Sequence, residues 1–130
     1  MNITREQLLL YAITDRSWLK GETLYEQVEK ALKGGVTLEQ LREKELSEPE
    51  FEAEGRSLLE LCHRYRVPLI INDNVELAER IGADGVHVGQ FDMELTRARE
   101  ILGTDKIIGV TAKTIEQAQA AEKAGADYLG

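Results

Sequence analysis

Six short apolar runs recur along the chain, and helical patterning fills the intervals between them. The runs are LLLYAIT (Leu8–Thr14), VTLEQLR (Val36–Arg42), VPLIIN (Val67–Asn72), DGVHV (Asp84–Val88), KIIGVT (Lys106–Thr111) and DYLG (Asp127–Gly130). Their shortness and β-branched content mark them as strands. Between them, Leu24, Val28, Ala31 and Leu32 share one helical face, as do Phe51, Leu58, Cys62 and Tyr65, and again Leu95, Ala98, Ile101 and Leu102. Strand and helix therefore alternate from end to end.

The boundaries agree with this reading. Thr23 with Glu26, Ser47 with Glu50 and Thr114 with Gln117 have capping-box spacing, and Pro49 falls in a first helical turn, where a missing N–H costs little. Glycines stand where helices should stop, at Gly34 and Gly35, Gly82, Gly103 and Gly125. Gly-Ala-Asp leads into a strand twice, at Gly82 and at Gly125, a weak internal repeat of one β-α unit. Strand starts about 20 to 30 residues apart suit helices that cross back to parallel strands.

Alternating units of this kind build either an open doubly wound sheet or an eight-stranded barrel. The open sheet is expected to carry a glycine-rich phosphate turn after its first strand, and here that turn reads TDRSWLKGE. The expected fold is thus an α/β barrel of the TIM (β/α)8 type. A complete barrel needs about 200 residues or more. The 130 residues supply five whole units and the start of a sixth strand, so a single incomplete barrel domain over residues 1–130 is expected.

Composition narrows the class of partner. Sixteen basic against twenty-four acidic residues leave a net charge of −8, which opposes binding to nucleic acid or anionic membranes. Cys62 is the one cysteine, so no intramolecular disulfide forms and a core role is expected. No apolar stretch approaches the roughly 20 residues that span a bilayer, and a soluble, cytoplasmic chain is expected.

In parallel β-α folds ligands bind beyond the carboxyl ends of the strands, and those ends are polar here. Gln40, Arg42 and Lys44 alternate at the end of the second strand, so its two cations would aim at one point beside an amide. That suits an anion with several oxygens, such as a diphosphate; a solvated strand end paired with Glu43 and Glu45 is the plainer alternative. Asp73 and Asp92 follow the third and fourth strands. Two hard oxygen ligands near a diphosphate are what Mg²⁺ uses, although each aspartate could instead cap a helix. Asn72 could orient an amine or phosphate oxygen, or serve a turn. Thr111 could bind an anion, or only lead into the cap at Thr114. His87 reads as a packed, hydrogen-bonded strand histidine and His63 as a surface residue.

Taken together, VTLEQLREK from Val36, VPLIINDNVELAERIGADGVHVGQFD from Val67 to Asp92, IIGVTAKT from Ile107 and AGADYLG from Ala124 resemble the thiamine-phosphate synthase family. The resemblance implies a barrel that couples hydroxymethylpyrimidine diphosphate with hydroxyethylthiazole phosphate, giving thiamine phosphate and pyrophosphate. It further implies that Gln40, Leu41, Arg42, Glu43 and Lys44 line the pyrimidine diphosphate site with Asn72 and Thr111, that Asp73 and Asp92 hold Mg²⁺, and that Arg42 and Lys44 stabilise the leaving group. In the family, a phosphate-binding loop with threonines and a lysine follows the sixth strand. The expectation is therefore a chain inactive or nearly so alone, either a fragment or one part of an assembly formed by self-association or with a complementing C-terminal half. Two other readings are a thiazole tautomerase relative, a group that tends to lose the paired aspartates, and a non-catalytic half-barrel that binds a diphosphate.

Overall fold

Strand and helix alternate in the computed structural model, which describes residues 2–90 and 94–130. The elements are β1 (Tyr11–Ile13), a 3-10 turn (Arg16–Trp18), α1 (Leu24–Lys33), β2 (Leu38–Leu41), α2 (Glu48–Arg64), β3 (Leu69–Asn72), α3 (Val75–Ile81), β4 (Gly85–Val88), α4 (Leu95–Leu102), β5 (Ile107–Val110), α5 (Ile115–Ala124) and β6 (Tyr128–Leu129). All neighbouring strands pair in parallel, in chain order from β1 to β6. None of the helices among the described residues is long and apolar enough to cross a membrane.

Local chemistry explains where the helices start. Thr23 accepts from the Glu26 amide, Ser47 and Glu50 form a reciprocal capping box, and Thr114 accepts from the Gln117 amide. Gln117 itself reaches one residue further back, accepting from Lys113 N–H at 2.8 Å. The first strand departs from the sequence expectation: it begins at Tyr11, and residues 5–10 form turns and bends. Leu8 and Leu9 donate to the Thr4 and Glu6 carbonyls, and Leu9 is 81% exposed, so strand-like composition yields to local hydrogen bonding.

The sheet curls. In a flat sheet β1 and β6 would lie about 24 Å apart, at ~4.8 Å per strand pair. Instead the Tyr11 and Tyr128 rings stand edge to face with centroids 5.5 Å apart, and their hydroxyls are hydrogen-bonded. The result is a curled half-barrel with two apolar layers. Leu41, Ile71, Val86, Val88, Ile108 and Val110 face the helices, where burial of each large side chain contributes about 1.5–3 kcal/mol. Ile3, Leu38, Ile70, Ile107 and Tyr128 fill the interior. A Cβ on Gly109 would sit 2.0 Å from the Tyr128 ring, so the missing side chain in β5 is what admits that ring.

One residue contradicts the alternation. Glu39 lies on the outer, apolar face of β2, only 2% exposed, and its Oε2 has no hydrogen-bond partner among the described residues. Desolvation raises its carboxyl to about 8, so it is held largely neutral at pH 7. Cys62 is buried in the same layer, as expected of a core residue, and burial pushes its thiol up to about 12.

Candidate functional site

The strand register decides which side chains reach the carboxyl mouth. Gln40 points into the interior, 2% exposed, whereas its neighbour Leu41, fully buried, points into the layer under the helices. β2 ends at Leu41. Arg42 and Lys44 therefore lie in the loop beyond it, where alternation no longer governs direction, and both line one cavity of about 310 Å³. Lys44 turns to β3, donating to Asn72 Oδ1 at 2.7 Å and pairing with Asp73. Asp15, Arg16 and Ser17 line the same cavity beside Arg42, whose backbone N–H is held by Thr14 Oγ1 at 2.9 Å. Glu43 lines this cavity too, and its side chain, 3% exposed, accepts from Arg16 Nε at 2.6 Å.

Asp73 follows β3 in the left-handed region at φ +64°, a conformation that non-glycine residues adopt at some cost. It does not cap α3. Asn74 does, accepting from the Leu77 amide at 3.0 Å, so the capping alternative for Asp73 is removed. Lys44, Asp73, Gly89, Gln90, Thr111, Lys113 and Gln117 surround a second cavity of about 350 Å³. Lys44 borders both cavities. Asp92 lies outside the described residues.

Polar groups continue from this mouth into the interior. Asn72 Nδ2 donates to Gln40 Oε1 at 2.7 Å, and Gln40 Nε2 donates to Tyr11 Oη at 2.8 Å. Tyr128 Oη lies between Tyr11 Oη and His87 Nδ1, the latter at 2.9 Å. His87 Nε2 is 2.8 Å from Thr111 Oγ1, and Gln90 Nε2 donates to the Thr111 carbonyl at 2.6 Å. His87 is thus a packed strand histidine bonded through both ring nitrogens. Burial raises the Tyr128 phenol, with the neighbouring Tyr11 adding to the effect. Burial also raises Tyr11, against hydrogen bonds with Tyr128 and Gln40 that lower it. Both phenols stay protonated at neutral pH.

Sequence reasoning passed over Tyr11, Tyr128, Lys113 and Gln117. Lys113 was within reach, since it occupies the loop between the fifth strand and its helix cap. The tyrosines were not, because their meeting depends on the curl of the sheet.

The family model described as thiamine monophosphate synthase matches residues 10–130. The chain belongs to that family. A thiamine-phosphate synthase of Clostridium acetobutylicum is 55% identical over 121 residues, covering 93% of this chain and 57% of the relative. One of Clostridium novyi is 54% identical over 121 residues, covering 93% of this chain and 59% of the relative. Among solved structures, a thiamine phosphate pyrophosphorylase from Pyrococcus furiosus superposes with a TM-score of 0.89 at 42% identity, over 97% of this chain and 60% of that one. The chain thus spans less than two thirds of the length of these members of the thiamine monophosphate synthase family, and its curled half-barrel matches part of their α/β barrel fold.

Proposed function

We propose that this chain carries the pyrimidine diphosphate side of a thiamine-phosphate synthase site, a transferase that joins hydroxymethylpyrimidine diphosphate to hydroxyethylthiazole phosphate in thiamine biosynthesis. The observation that carries the reading is Lys44, held by Asn72 and Asp73 at the lip of a cavity that Thr111 and Lys113 also line. Cations and hydroxyls converging on one concavity at strand carboxyl ends suit a diphosphate.

In the proposed reaction the bond between the pyrimidine methylene carbon and the diphosphate oxygen breaks, its electron pair leaving with pyrophosphate. The thiazole nitrogen lone pair then forms the new bond to that carbon. Lys44 and Arg42 would stabilise the charge that grows on the departing oxygens, and the Thr111 hydroxyl would donate to one of them. Gln40 and Asn72 would orient the pyrimidine, while Leu41 anchors the segment from behind and Glu43 holds Arg16 at the cavity wall. No general base is needed for the bond-making step, because the nucleophile is already unprotonated.

Asp73 fits the expected Mg²⁺: it is a hard oxygen donor on the cavity wall with no capping duty, and Asp92 would be its companion. When bound, the ion would neutralise diphosphate oxygens. Titration calorimetry with pyrophosphate and Mg²⁺ tests the proposal. Binding by this chain that Asp73→Asn makes independent of Mg²⁺ is the expected result, and absence of pyrophosphate binding in the unaltered chain refutes it. Turnover is tested separately by a steady-state assay with both substrates.

A further inference from the structure

The interior hydrogen bonds link Lys44 to Thr111 without a gap: Lys44, Asn72, Gln40, Tyr11, Tyr128, His87, Thr111. Such a chain has a direction. An ammonium only donates, so Asn72 must turn its carbonyl to Lys44 and its NH₂ to Gln40. Gln40 must then accept on Oε1 and give its NH₂ to Tyr11. Each phenol receives one bond and passes its own proton on, Tyr11 to Tyr128 and Tyr128 to His87 Nδ1. The imidazole is left with its proton on Nε2, which donates to Thr111 Oγ1. The Thr111 hydroxyl proton has no acceptor among the described residues, and this residue lines the same cavity as Lys44.

We infer that Tyr11, Tyr128 and His87 are positioning residues: a one-way chain of donors, its direction set by the Lys44 ammonium, presents the Thr111 hydroxyl as a donor to a ligand oxygen in the cavity. Both ends of the chain are then donors facing one concavity, the complement of a ligand that carries only acceptors. The reverse direction would need Lys44 to accept a hydrogen bond. It would also turn Thr111 into an acceptor, which repels phosphate oxygens. That the ligand is a diphosphate rests on the function proposed above; the direction of the chain does not.

The experiment is long-range proton–nitrogen NMR on this chain with ¹⁵N-labelled histidine, the His63 signals being assigned with His63→Gln. His87 is expected as the neutral Nε2–H tautomer with Nδ1 unprotonated, and an Nδ1–H tautomer overturns the inference. Lys44→Glu puts an acceptor where the chain begins, so it is expected to invert the His87 tautomer although the two side chains do not touch; an unchanged tautomer overturns the role of Lys44. Calorimetry with Mg²⁺ and pyrophosphate then separates position from packing. His87→Gln keeps a donor for Thr111 and is expected within about threefold of the unaltered chain, whereas His87→Asn loses it and is expected to weaken binding about tenfold. Equal loss in both variants overturns the link to the ligand. Should the unaltered chain bind no pyrophosphate, the functional proposal fails, and the tautomer still decides the direction.

Discussion

The two ends of the strands use the same residue types to opposite purposes. At the amino ends the repeated Gly-Ala-Asp places Asp84 and Asp127, and each carboxylate is consumed by the framework. Asp84 Oδ2 accepts from Leu69 N–H of the preceding strand and is 2.8 Å from His63 Nε2 of α2, the helix before that strand. Asp127 repeats the arrangement one unit later, with Ile108 N–H at 2.8 Å and Arg99 Nη2 at 2.9 Å, and its second oxygen accepts from Asn2 N–H. At the carboxyl ends Lys44 bonds side chain to side chain with Asn72 and Asp73, and Lys44 and Asp73 border a cavity. Polar groups bonded to backbone hold strands in register, while polar groups bonded to one another leave donors facing outward. The first end should therefore govern stability and the second binding.

The sharpest break in that contrast is Asp127→Ala. Its side chain is 2% exposed and removal takes the carboxylate partner from Arg99 and the acceptor from two backbone N–H groups, so denaturant unfolding should show a loss of about 4 kcal/mol. The pH dependence follows. Burial acts to raise the Asp127 carboxyl, but the hydrogen bonds from Asn2 and Ile108 and the Arg99 guanidinium hold it below its ordinary 3.8. A lowered carboxyl contributes stability above the unfolded value that is lost as pH falls through the folded one, and the alanine variant should lack that acid-labile part.

Glu39 belongs to neither end and sharpens the comparison as a control. Its folded value of about 8 lies above the ordinary 4.5, so its contribution is complete below the ordinary value and lost as pH rises between the two. Roughly 5 kcal/mol of stability should disappear over that range, and Glu39→Gln should remove the slope in denaturant titrations repeated across pH.

Lys44→Ala should behave in the opposite way to Asp127→Ala. Pyrophosphate affinity is expected to fall about 30-fold by calorimetry, with unfolding free energy changed by less than about 1 kcal/mol, since the side chain is 45% exposed. The smallest expected effect is at Asp84, whose side chain is 29% exposed. Its alanine variant should lose about 1 kcal/mol in the same unfolding assay, leaving pyrophosphate binding unchanged. A large binding defect there would erase the distinction between the two ends.

Much of this was legible in the residues. The alternation of strand and helix, the cap at Ser47 and the polar strand ends follow from spacing within one element at a time. The capping role was harder to assign, because Asp73 and Asn74 are adjacent and of similar chemistry; the backbone gave the cap to Asn74 and turned Asp73 left-handed. Arg42 and Lys44 alternate as though on a strand, yet β2 stops at Leu41; the loop beyond it puts both on one cavity and lets Lys44 border a second. The Gly-Ala-Asp repeat was visible, but not its purpose, since the amides it accepts belong to strands 15 and 19 residues earlier.

Periodicity and capping are local, acting over a few residues, and they were enough to specify the six strands and five α-helices of the described residues and the edge of the sheet where polar groups gather. Which of those groups meet was beyond them. Tyr11 reaches Tyr128, 117 residues away, through a curvature accumulated across successive strand pairs and a gap left by Gly109. Sheet curvature is a collective outcome of twist and of packing on both faces, so the hydrogen-bond chain from Lys44 to Thr111 exists only once all the strands are in place.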